Sequence, residues 1–110
     1  MTFGVIVTEQ ASQDVSRNVA WWGRERSQEQ ALRWYDGIRN AFDSLSQNPG
    51  RCPLASEHAE FPYELRELNF GLSSRPTHRI LFTVVKQTVL VLTVRSAAKD
   101  KLHPDDLPLP

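Results

Sequence analysis

The sequence predicts an α+β fold: an N-terminal strand, a helical hairpin, then a three-stranded antiparallel sheet. Three patterns carry this expectation. Apolar residues recur at helical spacing twice in the first half, β-branched runs with period-two alternation fill the second half, and a short strand-like segment precedes both.

"FGVIVT", Phe3 to Thr8, is brief and β-branched and stops where helical spacing begins, so it reads as the first strand. Thr8 is a suitable N-cap for the first helix, whose Ala11, Val15, Val19 and Trp22 share one face. A second helix opens at Ser27, where Ser27 and Gln30 have the spacing of a capping box. Its stripe is Ala31, Tyr35, Ile38, Phe42 and Leu45, and Asn48-Pro49-Gly50 ends it because proline cannot donate and glycine permits the turn. Two such helices in succession make a hairpin with a shared apolar seam.

"GRCPLASEHAEFP" lacks periodicity and carries prolines, so it reads as a surface connection. Strands then resume as "ELRELNF", "HRILFTVVK" and "TVLVLTVRS", the last two joined by a tight turn around Lys86, Gln87 and Thr88. Alternation places Ile80, Phe82 and Val84 beside Leu90, Leu92 and Val94 on one apolar face, which the helices must cover. Arg79 and Arg95 then fall on the opposite, free face with Leu81, Thr83, Val89, Val91 and Thr93. The expected organisation is one domain over residues 1–102 and a proline-rich surface tail over 103–110.

At 110 residues and 40% hydrophobic content the chain holds one modest core and has no room for a second domain. No apolar run reaches the roughly 18 residues of a membrane span, and "MTFGVIVTEQ" lacks the basic flank and cleavage site of a signal peptide. The expectation is a soluble, cytoplasmic protein without a membrane partner. Cys52 is the single cysteine, so no internal disulfide can form.

Formal charge is balanced, 13 cationic against 13 anionic residues, which argues against a surface devoted to tracking nucleic acid. The distribution is uneven. Between Leu65 and Lys99 there are six cations (Arg66, Arg75, Arg79, Lys86, Arg95, Lys99) and one acid, Glu67. Neighbouring strands lie about 5 Å apart, so Arg66, Arg79 and Arg95 are expected to meet on the far side of the sheet. Such a cluster can bind an anion or stabilise a phosphodiester transition state, or it can simply solvate an exposed face and pair with acids.

Metal-free ribonuclease chemistry needs a general base and a general acid, for which His78, His103, Lys99 and Glu67 are the candidates. Cys52 has no histidine at a nucleophile-motif spacing and reads as an inert thiol. The three histidines and the cysteine lack metal-ligand spacing, and there is no glycine-rich phosphate loop, so neither a metal nor another cofactor is expected. Trp21 and Trp34 sit off the main helical stripes and are candidates for receiving a partner segment.

The order strand, two helices, three strands, with "HRILFTVV" followed by "TVLVLTVRSAAKD", resembles the RelE/ParE toxin superfamily. "ALRWYDGI", "NPGRCPLASE", "ELRELNFG" and "KLHPDDL" resemble its plasmid stabilisation branch, and the likeness covers nearly the whole chain. The resemblance implies a type II toxin neutralised by an antitoxin encoded beside it. RelE-like members cleave mRNA on the ribosome, whereas ParE-like members inhibit DNA gyrase. Arg79 matches the arginine of the family's "YRI" strand motif, and Arg66 lies near the preceding strand's basic position.

The closing motif departs from the family. Where many relatives read "RHGARD" or "RHAARD", this chain reads "RSAAKD", with Ser96 for the histidine and Lys99 for the arginine, and His78 stands where tyrosine is common. Serine has no side-chain pKa near neutrality, so it cannot act as histidine's ordinary acid or base. The sequence thus favours a gyrase-type toxin, with Arg66, Arg79, Arg95 and Lys99 as target contacts or charge stabilisers. A RelE-type endonuclease and a degenerate, non-toxic antitoxin-binding member are the alternatives.

Overall fold

The computed structural model describes residues 2–98 and 102–107. Strand β1 (Gly4–Val7) leads into helices α1 (Glu9–Glu25) and α2 (Gln28–Ser44), followed by strands β2 (Arg66–Phe70), β3 (His78–Val85) and β4 (Thr88–Ser96). The strands form one sheet in the order β1-β4-β3-β2. The expected three-strand meander is present, and β1 joins it as a fourth strand, parallel to β4.

Both helix starts follow from their caps. The Thr8 hydroxyl accepts from Ala11 N at 3.3 Å and also donates to the Val91 carbonyl at 2.8 Å, so one side chain starts α1 and ties it to β4. Ser27 accepts from Gln30 N at 3.1 Å, the Ser27 half of the expected box. Asn48 adopts a left-handed φ of 46°, and Pro49–Arg51 form a single 3-10 turn beyond the end of α2.

Helices and sheet share a core of Ala11, Val15, Ile38, Phe42, Leu45, Ile80, Phe82, Val89, Val91 and Val94 around a fully buried Trp34. Burying each large side chain of this set contributes about 1.5–3 kcal/mol. Trp34 meets Phe70 edge-on at 6.0 Å and His78 at 5.2 Å. Gly37 allows this approach of α2 to β2, because a Cβ there would stand 2.8 Å from the Phe70 ring. Trp34 therefore has no surface to offer a partner, which corrects its expected exposure.

The expected face assignment of β4 is also corrected. The β3–β4 register shifts between Leu81 and Phe82: Leu81 faces Thr93, Phe82 faces Val91, and Leu92 is the extra residue. Such a bulge reverses the side-chain alternation on one side of it. Val89 and Val91 consequently join the helix-side core with Val94, while Leu90 and Leu92 turn to the far face.

That far face is covered. Leu81 and Leu92 pack with Ala55 and Phe61 from the connector, with Leu65 just before β2, with Leu102 and with Leu107 from the tail, forming a second apolar cluster. The connector also pairs along the outer edge of β2 through Ala55 N to Leu65 O (2.7 Å) and Glu67 N to Pro53 O (3.1 Å). The connector and the described part of the tail, expected as surface segments, form a second layer over the sheet.

Asp14 on α1 is a buried acid that fixes the helix to the bulged strand. It accepts from Thr93 Oγ1 at 2.5 Å, Val94 N at 3.1 Å and Gln10 Nε2 at 3.1 Å, and pairs with Arg17. Removing a buried acceptor strands its donors, each at a cost of about 1–3 kcal/mol. Asp14→Ala is expected to lower the unfolding free energy by about 3 kcal/mol and Asp14→Asn by roughly half as much, in urea titrations of both variants.

Candidate functional site

Arg79 and Arg95 stand directly opposite each other on β3 and β4, as expected from the alternation. Arg66 does not join them. It pairs in register with Phe82, and Asn69 is the residue opposite Arg79, so an odd offset along β2 puts Arg66 on the helix-side face. There Arg66 donates to the Cys52 carbonyl at 2.6 Å and to Glu64 at 3.2 Å, closing the start of the connector onto β2. The expected three-arginine cluster is corrected to a pair.

Two like charges facing across strands repel, and carboxylates surround this pair. Glu57, whose side chain is wholly buried, takes Arg79 in a fork: Nη2 to Oε1 at 2.6 Å and Nη1 to Oε2 at 3.0 Å. Arg79 Nη2 also donates to Glu67 at 2.9 Å. Glu57 accepts further bonds from Ser56 Oγ at 3.0 Å and Leu102 N at 2.9 Å. Arg95 lies 3.8 Å from Asp106 and keeps about a quarter of its side chain exposed. Lys99 lies outside the described residues.

The electrostatics follow the geometry. The Arg79 hydrogen bonds outweigh burial and hold the Glu57 carboxyl at a pKa of about 2, against an ordinary value of 4.5. The same bonds raise the Arg79 pKa. Arg79 is thus a structural cation whose charge is answered by two carboxylates.

His78, on the opposite face, is held between Thr77 Oγ1 (2.8 Å from Nδ1) and Asn18 Oδ1 (2.9 Å from Nε2). Burial lowers its pKa, which favours a neutral ring donating to Asn18 and accepting from Thr77. It joins β3 to α1. His103 is exposed, and its backbone N–H donates to Asp106 at 2.9 Å. Cys52 is buried, and that burial raises its pKa, in keeping with an inert thiol. Among the described residues no cluster of three or more metal-ligating side chains forms.

Among the surface cavities that flank the helical hairpin, two involve residues singled out by the sequence. One, of about 320 Å³, opens between α1 and the end of β4, where Arg17, Asn18, Arg95 and Ser96 surround Asp14. Ser96 thus lies in a polar cleft beside Arg95. The second, of about 310 Å³, lies at the hairpin tip between Trp22, Gln30 and Arg33 and the β2–β3 loop residues Leu72, Ser73 and Thr77. Trp21, edge-on to the cavity-lining Trp22, is 42% exposed. Helical spacing identified Trp21 as off-stripe, but the tip cavity needs the loop fold and has no sequence signature.

Glu57 went unnoticed in the sequence because it is an isolated acid in a non-periodic segment. Its role has a clear pH signature. The folded-state pKa is depressed, so its stabilisation is complete above about pH 4.5 and is lost as pH falls toward about 2. A shift of that size is worth about 3 kcal/mol. Glu57→Gln should therefore unfold at lower urea than the parent at pH 7, with the difference shrinking through this window; a constant difference down to pH 2 would contradict the assignment.

A model of the ParE toxin of type II toxin–antitoxin systems (parDE) matches residues 5–101. The solved chromosomal ParDE toxin–antitoxin system from P. aeruginosa has a chain with the same fold, at a TM-score of 0.68 and 18% identity, covering 86% of this chain and 96% of that one. No curated protein matches the sequence. The sheet order, the helical hairpin and the near full-length family match agree, and the chain belongs to the ParE toxin family of type II toxin–antitoxin systems.

Proposed function

We propose that this ParE-family chain arrests growth by binding a protein target, DNA gyrase, without cleaving mRNA, and that a cognate antitoxin neutralises it. The observation that carries this reading is the commitment of Arg79 to Glu57 and Glu67. A phosphodiester-cleaving site needs cations free to meet charge that develops in the transition state, together with a proton donor and acceptor. Arg79 and Arg66 serve the scaffold, His78 is confined between Thr77 and Asn18, and Ser96 holds the position of the family's histidine. Arg95 and Lys99 are left as target contacts. Trp21 is the partner-facing aromatic of the hairpin.

Expression of the chain alone should stop growth, and co-expression of the adjacent small gene should restore it. The purified protein should inhibit supercoiling by gyrase, and primer extension on translated messages should reveal no codon-linked cuts. Codon-linked cuts would establish the nuclease reading instead. Equal growth with and without the neighbouring gene would favour a non-toxic antitoxin-binding protein.

A further inference from the structure

The arginines of this chain fall into two groups. Arg17, Arg66, Arg79 and Arg95 each have a carboxylate partner. Arg24, Arg26, Arg33, Arg39, Arg51 and Arg75 are exposed and make no salt bridge among the described residues, although Arg39 donates to the Tyr35 hydroxyl and Arg51 to the Ser44, Gln47 and Asn48 carbonyls. Arg24, Arg26 and Arg33 belong to the hairpin tip, and Arg75 to the β2–β3 loop that closes the tip cavity.

Aromatic rings accompany them. Trp21 and Trp22 meet edge-on with centroids 5.3 Å apart, and the Arg26 guanidinium stands 5.6 Å from the Trp21 centroid. Trp22 lines one side of the 310 Å³ cavity, Arg33 another, and Leu72 contributes an apolar wall from the loop. That volume is at the lower end of ligand cavities, large enough for one bulky side chain. Tryptophan and arginine are also the residue types that most often dominate the energy of protein interfaces.

We propose that this tip is a docking surface for an acidic polypeptide segment on the toxin's target, one that inserts a large apolar side chain into the cavity and sets carboxylates against Arg26 and Arg33. This rests on the reading that the target is a protein. Charge complementarity names the occupant: at the tip and the loop beside it, four arginines without a salt bridge among the described residues outnumber two acids, Glu25 and Glu29. Those two glutamates lie in sequence between Arg24 and Arg33, where a continuous phosphate backbone would meet repulsion. A polypeptide can place its acids opposite the arginines alone. The neutral chain likewise lacks the cationic excess of a nucleic-acid surface.

The first test is tryptophan fluorescence of the full chain titrated with a short synthetic peptide of glutamates flanking a phenylalanine. A lysine version of the peptide and a single-stranded oligonucleotide serve as comparators. Saturable quenching is expected with the acidic peptide only, weakened about tenfold or more in Arg26→Glu/Arg33→Glu. No binding of the acidic peptide, equal binding of the lysine version, tighter binding of the oligonucleotide, or indifference to the double substitution would each overturn the proposal.

The second test uses the same double variant in cells. It should unfold at the parent's temperature and co-purify with the antitoxin but no longer arrest growth. Retained arrest, or joint loss of antitoxin binding, would overturn the target assignment. A parent that binds the acidic peptide yet leaves growth unaffected would remove the toxin reading and leave the docking surface standing.

Discussion

The buried fork between Glu57 and Arg79 is the interaction on which the second layer of this fold depends. One carboxylate joins the connector, through Glu57 itself, to β3, through Arg79, and to the tail, through Leu102 N. Arg79 adds β2 through Glu67. Taking two charges out of water costs several kcal/mol per ion, and only good geometry with further hydrogen bonds offsets that. Both conditions hold: the fork is bidentate, and Ser56 and Leu102 complete the Glu57 oxygens. The connector and the segment around Leu102, neither of which is a strand of the sheet, are thereby held over Leu81 and Leu92, where Phe61, Leu65, Leu102 and Leu107 can bury apolar surface.

This constraint redistributes function over the molecule. A strand arginine in a toxin fold invites a reading as a phosphate ligand, yet here the most buried arginine is answered by two carboxylates. Four exposed arginines without such a partner among the described residues, Arg24, Arg26, Arg33 and Arg75, lie at the tip of the helical hairpin and in the β2–β3 loop beside it. Shared fold does not assign activity, and the location of unpaired charge is the more informative observation. It supports the proposed contact with a protein target, alongside Ser96 in place of the histidine that the resemblance implies.

Local patterns made much of the fold legible. Thr8 and Ser27 cap where their side chains predict, the helix stripes bury Ala11, Val15, Ile38 and Phe42, and the β3–β4 hairpin turns at Lys86, with φ 58°. Where reading failed, a non-local cause is identifiable. The bulge at Leu92 inverts half of β4, and nothing in a run of alternating Val and Leu marks the slip. Trp34 is buried because α2 faces both α1 and the sheet, which widens its apolar stripe beyond Tyr35. Leu102 and Leu107 sit among prolines that rule out helix and strand, yet an extended segment can still bury two leucines. Arg66 was misplaced by one face because β2's register against β3 depends on the length of the loop between them.

A double-mutant cycle on Glu57→Gln and Arg79→Met, measured by urea unfolding at pH 7, tests the central claim most directly. If the fork holds the connector and tail to the sheet, the two substitutions should be strongly non-additive, with a coupling of about 3 kcal/mol. A coupling within about 0.5 kcal/mol of zero would mean the two residues act independently and would contradict the structural role assigned to Arg79.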